Sequence, residues 1–531
     1  MTEKFDMVAK TFQGLEGVLA DELRNLGADD VVQGTRMVAF TGDKAMLYKA
    51  NFCCRTALRI LKPFFKFRSP NADDLYEQVK GYDWDTILNV NTTFAIDVTT
   101  FGDEFVHSRF VTYRVKDAIA DFFMEREGKR PSIRVTNPDI LLDVHINGDQ
   151  VTLSLDSSGE PLYKRGWRVA QTKAPINEVL AAGIIRLSGW DGDTDLIDPM
   201  CGSGTFLVEA ALIAANINPG IFRKEYAFQH WKDYDADLFA DIYNDDSQER
   251  EFTHKIYGYD VAHQAIAISQ ANVKSAGVTK LVELQQRDIA DWVEAPAGGT
   301  LITNPPYGER LIVGDMETLY NTLGNKFKNV FKGFNVWVIG YEQQNFDWIG
   351  LRPSVRYPLP NGGLECELRQ YVIFEGSYSE MRARGEDVRN DEFRSRERDP
   401  QRHKFSEMRA DGREQQATDG ERRPPRRFDD RDGERRPPRR FDDRDGERRP
   451  PRRFDDRDGE RCPPRRDEER TNDTPRVPRR PRYDGGPRLG ADKEVPIIHG
   501  RRKSWKRRDL DDNQPNNPYP NPNPKPEDDK D

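Results

Sequence analysis

The feature that most limits how this 531-residue chain can fold is a change in its sequence at about Ser377. Beyond that point the apolar periodicity stops, and a unit of 13 residues, DGERRPPRRFDDR, starts at Asp419 and recurs at Asp432 and Asp445. Each unit has one Phe and a Pro-Pro pair, which is too little apolar surface to form a core, so disorder is expected rather than a solenoid. Stable folding is therefore expected only within about residues 1–376.

The charge of the chain changes at the same boundary. The whole chain has a formal net charge of -9, but residues 381–531 carry 43 Lys and Arg against 37 Asp and Glu, whereas residues 1–380 carry 39 against 54. The repeats predict either a multivalent RNA contact, through Arg pairs and Phe rings, or a solvated spacer. The segment 501–508 surrounds Trp505 with 6 cations and no acid, so it is the strongest candidate for an RNA contact in the tail.

Several classes of protein are disfavoured by what the sequence lacks. No apolar run approaches the roughly 20 residues that span a bilayer, and the N-terminus MTEKFDMVAK does not have the layout of a signal peptide. The 5 cysteines show no metal-ligand spacing, and the adjacent Cys53 and Cys54 are expected to be buried rather than disulfide-bonded. We therefore expect a cytoplasmic protein with no metal and no membrane contact.

Two patterns divide the first 376 residues. Residues 1–160 mix short β-like runs with amphipathic helices, which predicts two α+β units with antiparallel strand pairing. Residues 176–376 alternate strands with helices, beginning with NEVLAAGIIRLSG, TDLIDPM and TFLVEAALIAANI, which predicts a parallel, doubly wound sheet. The expected fold class is α/β, with a Rossmann-like domain that follows two α+β units and precedes a disordered tail.

The first motif with chemical meaning is DPMCGSGTF, residues 198–206, which lies between an apolar strand and a helix. Ligands of open α/β sheets bind beyond the carboxyl ends of the strands, and glycines there let the backbone approach closely. The spacing is neither GxGxxG nor a P-loop, so a nucleoside cofactor without a pyrophosphate is favoured. Cys201 is expected to pack inside this turn rather than to react. The candidate cofactor-binding residues of the turn are Asp198, Pro199, Cys201, Gly202, Ser203, Gly204 and Thr205.

Two acidic residues at the ends of later strands extend the candidate cofactor site. Asp260 ends the run YGYD, where a carboxylate can accept hydrogen bonds from both hydroxyls of a ribose. Asp288 ends LVELQQRD and could accept a hydrogen bond from an adenine amino group. Each aspartate could instead cap the segment that follows it, and for Asp260 the two roles are compatible.

The second motif, NPPYGER, follows the apolar run TLIT. Pro305 and Pro306 stiffen this loop and cannot donate hydrogen bonds, so the side-chain oxygen of Asn304 and the carbonyl of Pro305 form a pair of acceptors suited to an exocyclic amino group. Tyr307 offers a ring that can stack on a base. Alone the motif could be a turn that ends a strand. Its position in the same sheet as DPMCGSGTF favours a catalytic role, with Asn304 also beside the cofactor.

The order DPMCGSGTF, GYD and NPPYGER resembles class I S-adenosylmethionine-dependent methyltransferases that act on exocyclic amino groups. The segments GLEGVLADELRNLGA, NFCCRTALRIL and LSLDSSGEPLYKRGWR resemble ferredoxin-like and THUMP RNA-binding units. Together, residues 1–376 resemble the N-terminal, guanine-N2 methyltransferase half of the bifunctional bacterial 23S rRNA methyltransferase family RlmL. The resemblance implies S-adenosylmethionine as cofactor, and 23S rRNA or the assembling large ribosomal subunit as partner. The 7-methylguanine activity of that family's second half is not expected, because only the low-complexity tail follows.

The same resemblance divides the chain into a ferredoxin-like unit at 1–60, a THUMP domain at 61–160, a linker at 161–175, a methyltransferase domain at 176–376 and the tail at 377–531. Trp167 in the linker is expected to pack at the joint between domains. Cations within and beside the RNA-binding units are candidate RNA contacts, although each could be an ordinary surface charge. These are Arg55, Arg109, Lys164, Arg165 and Arg168.

Three other functions stay open at this point. A tRNA guanine-N2 methyltransferase would also carry a THUMP unit. A DNA adenine-N6 methyltransferase would use a loop similar to NPPY. A non-catalytic ribosome-assembly factor could bind RNA and retain a vestigial pocket.

Overall fold

The structure is a computed structural model that describes residues 3–295, 298–306, 313–341, 343–360 and 364–373. The predictions for the tail, including its repeats and the cations around Trp505, lie outside the described residues. Within these ranges, no helix combines the length and the apolar composition that a membrane span requires.

Among the described residues, the N-terminal half contains eight strands and four α-helices. The strands are β1 (Phe5–Lys10), β2 (Asp29–Gly34), β3 (Met37–Gly42), β4 (Arg59–Arg68), β5 (Thr93–Phe101), β6 (Ser132–Ile133), β7 (Ile140–Asn147) and β8 (Gln150–Asp156). The helices are α1 (Glu16–Asn25), α2 (Lys44–Cys53), α3 (Ala72–Lys80) and α4 (Ser108–Glu127). All eight strands form one sheet in the order β2-β3-β1-β4-β8-β7-β5-β6.

This sheet differs from the sequence-based expectation in two ways. The strand β4, which the sequence pattern does not predict, pairs with β1 on one side and with β8 on the other, so the two expected α+β units share a continuous sheet. In addition, β5 pairs with β7 in parallel, and the expectation of antiparallel pairing throughout is wrong there. The physical reason is the connection between them, since the helix α4 carries the chain back across the sheet before β7 begins.

The C-terminal half contains seven strands and six helices among the described residues. The strands are β9 (Leu196–Asp198), β10 (Ile256–Asp260), β11 (Val282–Gln286), β12 (Gly299–Thr303), β13 (Phe334–Tyr341), β14 (Val355–Pro358) and β15 (Cys366–Val372). The helices are α5 (Glu178–Leu187), α6 (Thr205–Ala214), α7 (Ala236–Asn244), α8 (His263–Ser275), α9 (Val313–Asn329) and α10 (Gln343–Ile349).

These strands form a second sheet in the order β11-β10-β9-β12-β13-β15-β14. The central strand β9 pairs in parallel with β10 and β12, which confirms the expected doubly wound α/β architecture. The strand β15 runs opposite to its neighbours β13 and β14. All residues of α6 are buried, in keeping with the nearly unbroken apolar sequence TFLVEAALIA, whose one charged residue is Glu209.

The segment between α6 and β10 packs against the N-terminal half. The ring of Tyr48 on α2 stacks on that of Phe228 with centroids 4.4 Å apart. Phe239 on α7 meets the Tyr48 ring edge-on at 5.7 Å. Because large aromatic surfaces are buried on both sides, this contact holds the N-terminal half against the domain that contains the second sheet.

Candidate active site

The two sequence motifs meet at one edge of the second sheet. Asp198 ends the central strand β9, Asp260 ends β10, and Asn304 follows β12. Since β9 lies between β10 and β12 and all three run in parallel, their carboxyl ends lie side by side. This is the edge at which open α/β sheets bind their ligands.

The turn between β9 and α6 depends on glycine at two positions. Gly202 has φ +54° and Gly204 has φ +75°, a backbone conformation that residues with a Cβ atom rarely adopt. A Cβ atom at Gly204 would also lie 3.0 Å from the Ser269 hydroxyl oxygen. The turn closes with a hydrogen bond from the Gly204 N–H to the Cys201 carbonyl (2.7 Å). It therefore leads directly into the N-terminus of α6, where the helix dipole favours negative groups.

Asp260 fills one of the two roles that its position suggested, the cap, and it also binds the glycine turn. Its Oδ1 accepts a hydrogen bond from the Ala262 N–H (2.9 Å) and so organises the start of α8. Its Oδ2 accepts a hydrogen bond from the Gly202 N–H (3.0 Å) and so ties β10 to the glycine turn. A carboxylate has further lone pairs, so contact with a ribose stays possible and stays a prediction.

Asp198 lies beneath the turn rather than on its surface. The residue is 1% exposed, and its carboxyl accepts a hydrogen bond from the Met200 N–H (3.2 Å). Burial raises the pKa of Asp198 to about 8, and the nearby charge of Asp260 acts in the same direction. The shift favours the neutral carboxyl, and the bond from Met200 shows that Asp198 supports the turn, whereas its contact with the cofactor stays a prediction.

Asn304 presents a hydrogen-bond acceptor at the sheet edge. The residue is half-buried, and its Oδ1 is shielded from solvent without a hydrogen-bond partner among the described residues. Buried polar atoms normally have partners, so an unused acceptor at this edge fits a site that receives a donor from a ligand. Pro305 is buried and Pro306 is half-buried beside it. Tyr307 lies outside the described residues, and its stacking role stays a prediction.

Comparisons with known families agree with this arrangement. A family model described as the RMKL-like methyltransferase domain matches residues 165–370. The THUMP domain matches residues 69–156, and the RlmL ferredoxin-like domain matches residues 6–61. A putative RNA methyltransferase of Synechocystis sp. is 37% identical over 372 residues, which cover 69% of this chain and 96% of that protein. The chain belongs to the RMKL-like methyltransferase family.

Two further comparisons show how much of each similar protein this chain covers. Ribosomal RNA large subunit methyltransferase K/L of Syntrophotalea carbinolica is 38% identical over 376 residues, which cover 68% of this chain but 53% of that protein. This chain thus spans about half the length of that relative. The crystal structure of SMU.472, a putative methyltransferase complexed with SAH, is 29% identical with a TM-score of 0.64 and covers 71% of this chain and all of that one. The expected class, an S-adenosylmethionine-dependent RNA methyltransferase with a THUMP domain, is confirmed.

Two of the five candidate RNA contacts are buried at the joint of this RMKL-like protein, and the prediction that they contact RNA is wrong. Arg55 is 4% exposed and donates to the Ile217 carbonyl (2.8 Å), and its burial lowers the pKa of its guanidinium to about 10. Arg165 is 2% exposed, pairs with Glu209 (3.4 Å) and donates to the Arg55 carbonyl (2.5 Å). Their partners are distant in sequence, so the chain alone did not reveal that these cations are internal.

The other three cations divide into one that is covered and two that are exposed. Arg168 donates to Glu178 (2.7 Å) and to the Thr205 hydroxyl (2.9 Å), and its side chain is 15% exposed, so its RNA contact stays a prediction with little free surface. Arg109 is exposed on α4, and Lys164 is an exposed partner of Glu160, so both remain predictions. The nearby Trp167 is fully buried, which confirms that it packs at the joint.

Asp288 caps a short turn in the structure. Its side chain accepts a hydrogen bond from the Ala290 N–H (2.9 Å), which is the structural role weighed against a contact with adenine. A carboxylate that caps a turn retains a second oxygen, so the adenine contact stays a prediction. Within the described ranges, no group of three or more His, Cys, Asp or Glu residues is arranged to hold a metal ion.

Sequence reasoning missed three polar residues that bind the glycine turn. The Thr172 N–H donates to the Ser203 hydroxyl (2.8 Å), and the Ser269 hydroxyl donates to the Gly202 carbonyl (2.9 Å). The Asn272 amide donates to the Ser203 carbonyl (2.9 Å). Ser269 and Asn272 are both fully buried and lie three residues apart on α8. Two polar residues at helical spacing could have indicated a hydrogen-bonding role on the buried face of α8. The surrounding apolar residues of AIAISQANVKSAG instead favour reading this face as ordinary core packing.

Proposed function

We propose that this RNA methyltransferase transfers a methyl group from S-adenosylmethionine to the exocyclic N2 amino group of a guanosine in 23S rRNA. The observation that supports this most directly is the unused, shielded acceptor of Asn304 at the carboxyl edge of the sheet. The relative named ribosomal RNA large subunit methyltransferase K/L supports ribosomal RNA as the substrate.

In this proposal the loop after β12 holds the amino group that is methylated. The Asn304 side-chain oxygen and the Pro305 carbonyl each accept one of its two hydrogens. An aromatic amine delocalises its lone pair into the ring, and this pair of acceptors favours the pyramidal geometry that makes the lone pair available. The same acceptors stabilise the positive charge that develops on nitrogen as the new bond to carbon forms.

The glycine turn and Asp260 form the cofactor side of the site. Bound there, S-adenosylmethionine would supply a methyl group activated on a sulfonium: the carbon–sulfur bond would break as the carbon–nitrogen bond forms, sulfur would keep the electron pair as a neutral thioether, and the methylated nitrogen would lose its extra proton to water. The protein's contribution is to hold the two reacting atoms close and in line. A guanosine that starts stacked in a helix must first be flipped out, at a cost of a few kcal/mol.

The substrate is tested by mass spectrometry of nucleosides from rRNA and tRNA of a strain that lacks this protein. We expect N2-methylguanine to disappear from one position of 23S rRNA and to return when the gene is restored. Loss of the modification from tRNA, with rRNA unchanged, would contradict the proposed substrate while leaving the reaction in place. Loss of N6-methyladenine from DNA would contradict both.

The division of roles within the site is tested with two variants of the full chain. Asn304→Ala is expected to abolish methyl transfer while the dissociation constant for S-adenosylmethionine stays nearly unchanged, because it removes an acceptor of the substrate amine. Asp260→Ala is expected to weaken cofactor binding. Isothermal titration that shows a comparable loss of cofactor affinity in both variants would overturn this assignment.

A further inference from the structure

Two successive carbonyl groups of the glycine turn are held by the same face of α8. The Ser269 hydroxyl donates to the Gly202 carbonyl (2.9 Å), and the Asn272 side-chain nitrogen donates to the Ser203 carbonyl (2.9 Å). Both donors are fully buried, so water cannot replace either bond. The helix that begins just after Asp260 therefore controls how the turn between β9 and α6 is oriented.

The orientation of a carbonyl determines the orientation of the amide next to it. The peptide unit is planar and trans, so its C=O and N–H groups point in opposite directions. The carbonyl of Gly202 points toward Ser269 on α8, and the N–H of Ser203 in the same peptide unit must therefore point away from α8. An N–H held in that direction is a donor for a negative or polar group beyond the carboxyl edge of the sheet.

Asn272 also binds the linker that joins the two halves of the protein. Its Oδ1 accepts hydrogen bonds from the N–H groups of Val169 (2.9 Å) and Ala170 (3.2 Å). Its nitrogen donates to the Ala170 carbonyl (2.8 Å) as well as to the Ser203 carbonyl. The amide fits only this way round, because its oxygen faces two N–H donors and its nitrogen faces two carbonyls.

A buried side chain that uses its full hydrogen-bonding capacity on two separate segments imposes a defined distance between them. The linker approaches the turn at a second point as well, where the Thr172 N–H donates to the Ser203 hydroxyl (2.8 Å). The turn is thus held between α8 and the linker, both of which lie outside the two motifs that carry the chemistry.

We propose that Ser269 and Asn272 are positioning residues for the methyl donor. They hold two carbonyls of the glycine turn against α8. The N–H of Ser203 is therefore already oriented toward the cofactor site before the cofactor binds. Neither side chain touches the reacting atoms. Their loss is expected to weaken cofactor binding while leaving the rate at saturating cofactor close to that of the wild type. The inference rests on the proposed role of the turn as the cofactor site.

The test uses Ser269→Ala and Asn272→Asp in the full chain. Ser269→Ala removes one donor and little volume. Asn272→Asp keeps the shape and the two accepted bonds, but places an oxygen against the two carbonyls that the nitrogen served. The matched control is Val273→Ala on the same helix, a core residue that is 2% exposed and destabilises the protein through lost packing. Asp260→Ala serves as the reference for the cofactor site itself.

For each variant, isothermal titration measures the dissociation constant for S-adenosylmethionine and for S-adenosylhomocysteine, and steady-state kinetics measures KM and kcat on rRNA. For Ser269→Ala we expect the dissociation constant and KM to rise about tenfold, which corresponds to about 1.4 kcal/mol of binding free energy. The kcat of this variant is expected to stay within about twofold of the wild-type value. A larger rise is expected for Asn272→Asp. Val273→Ala is expected to lower the melting temperature without changing cofactor affinity.

The outcomes separate the two ideas. If Asp260→Ala leaves cofactor affinity unchanged, the proposed cofactor site is wrong. If Asp260→Ala weakens cofactor binding but Ser269→Ala does not, the site stands and the positioning role is wrong. An equal loss of affinity in Val273→Ala would also overturn the positioning role, since general destabilisation would then explain the result. Should Asn272→Asp fail to fold, Ser269→Ala decides alone.

Discussion

Replacing Arg165 by Met should cost this protein several kcal/mol of stability, although the residue appears in sequence as one of a run of linker cations. The Arg165 side chain is 2% exposed and its partner Glu209 is 0% exposed. Removing one partner of a buried pair leaves an uncompensated charge and costs about 3–5 kcal/mol. The Leu162 and Arg55 carbonyls would also lose donors, at about 1–3 kcal/mol for each buried group. We therefore expect a loss near or above 5 kcal/mol.

The magnitude can be isolated with two further variants. Lys164→Met is the matched control, since the neighbouring Lys164–Glu160 pair is 50% and 66% exposed and should contribute only about 0–1 kcal/mol. The double variant Arg165→Met/Glu209→Leu removes both charges and fills the space with apolar groups, so it should cost clearly less than the sum of the single replacements.

Urea unfolding of the full chain, followed by tryptophan fluorescence, measures these differences. Trp167 is a suitable reporter, because it is buried at the same joint and its Nε1 donates to Glu209 (3.3 Å). The reasoning is refuted if Arg165→Met changes the free energy of unfolding by no more than Lys164→Met does. It is also refuted if the effects of Arg165→Met and Glu209→Leu simply add.

Three further predictions concern pH, RNA and the tail. Burial raises the pKa of Asp198 to about 8, so the stability that its neutral carboxyl contributes is complete below about pH 4 and is lost as the pH rises through 8. Denaturation experiments on the wild type and on Asp198→Asn measure this effect. The free energy of unfolding of the wild type, minus that of the variant, should decrease as the pH rises from about 5 to about 8, and a constant difference would contradict the assignment. Arg109→Ala should weaken binding to an rRNA fragment. In titrations at several salt concentrations, the magnitude of the slope of log affinity against log salt concentration should decrease by about 1. An unchanged slope would show that this residue does not contact the RNA. Truncation after about residue 380 should weaken association with ribosomes, and the idea of an electrostatic tether fails if sedimentation and activity on naked RNA are both unchanged.

Much of the methyltransferase domain could be predicted because its information is local. Strands and helices alternate with distinct periodicities, and glycines appear where the backbone must turn after β9. The two motifs could be assigned to one edge because parallel strands place their carboxyl ends together. For the same reason the sequence predicts Asp260 and Asn304 beside the turn. Trp167 was correctly assigned to packing, because a large ring between linker residues is better buried than exposed.

The N-terminal sheet was harder to predict because strand pairing depends on contacts that are distant in sequence. The run RILKPFFKFR carries Lys and Pro among its apolar residues and does not alternate clearly, so β4 was missed. This segment forms a strand because it pairs with β1 on one side and with β8 on the other. Both partners supply backbone hydrogen bonds, and a local sequence pattern does not predict them.

The order of the two motifs along the chain is enough to predict a methyltransferase, because few arrangements of residue types suit a nucleoside cofactor. The composition also predicts that stable folding is confined to about residues 1–376, since the sequence beyond them offers too little apolar surface for a core. Which charged and polar side chains face inward depends instead on how the elements pack together. Arg55 and Arg165 are buried at the joint, and Ser269 and Asn272 donate hydrogen bonds to carbonyls of the glycine turn. Burial is a property of the assembled chain, and a side chain's identity does not state what will cover it.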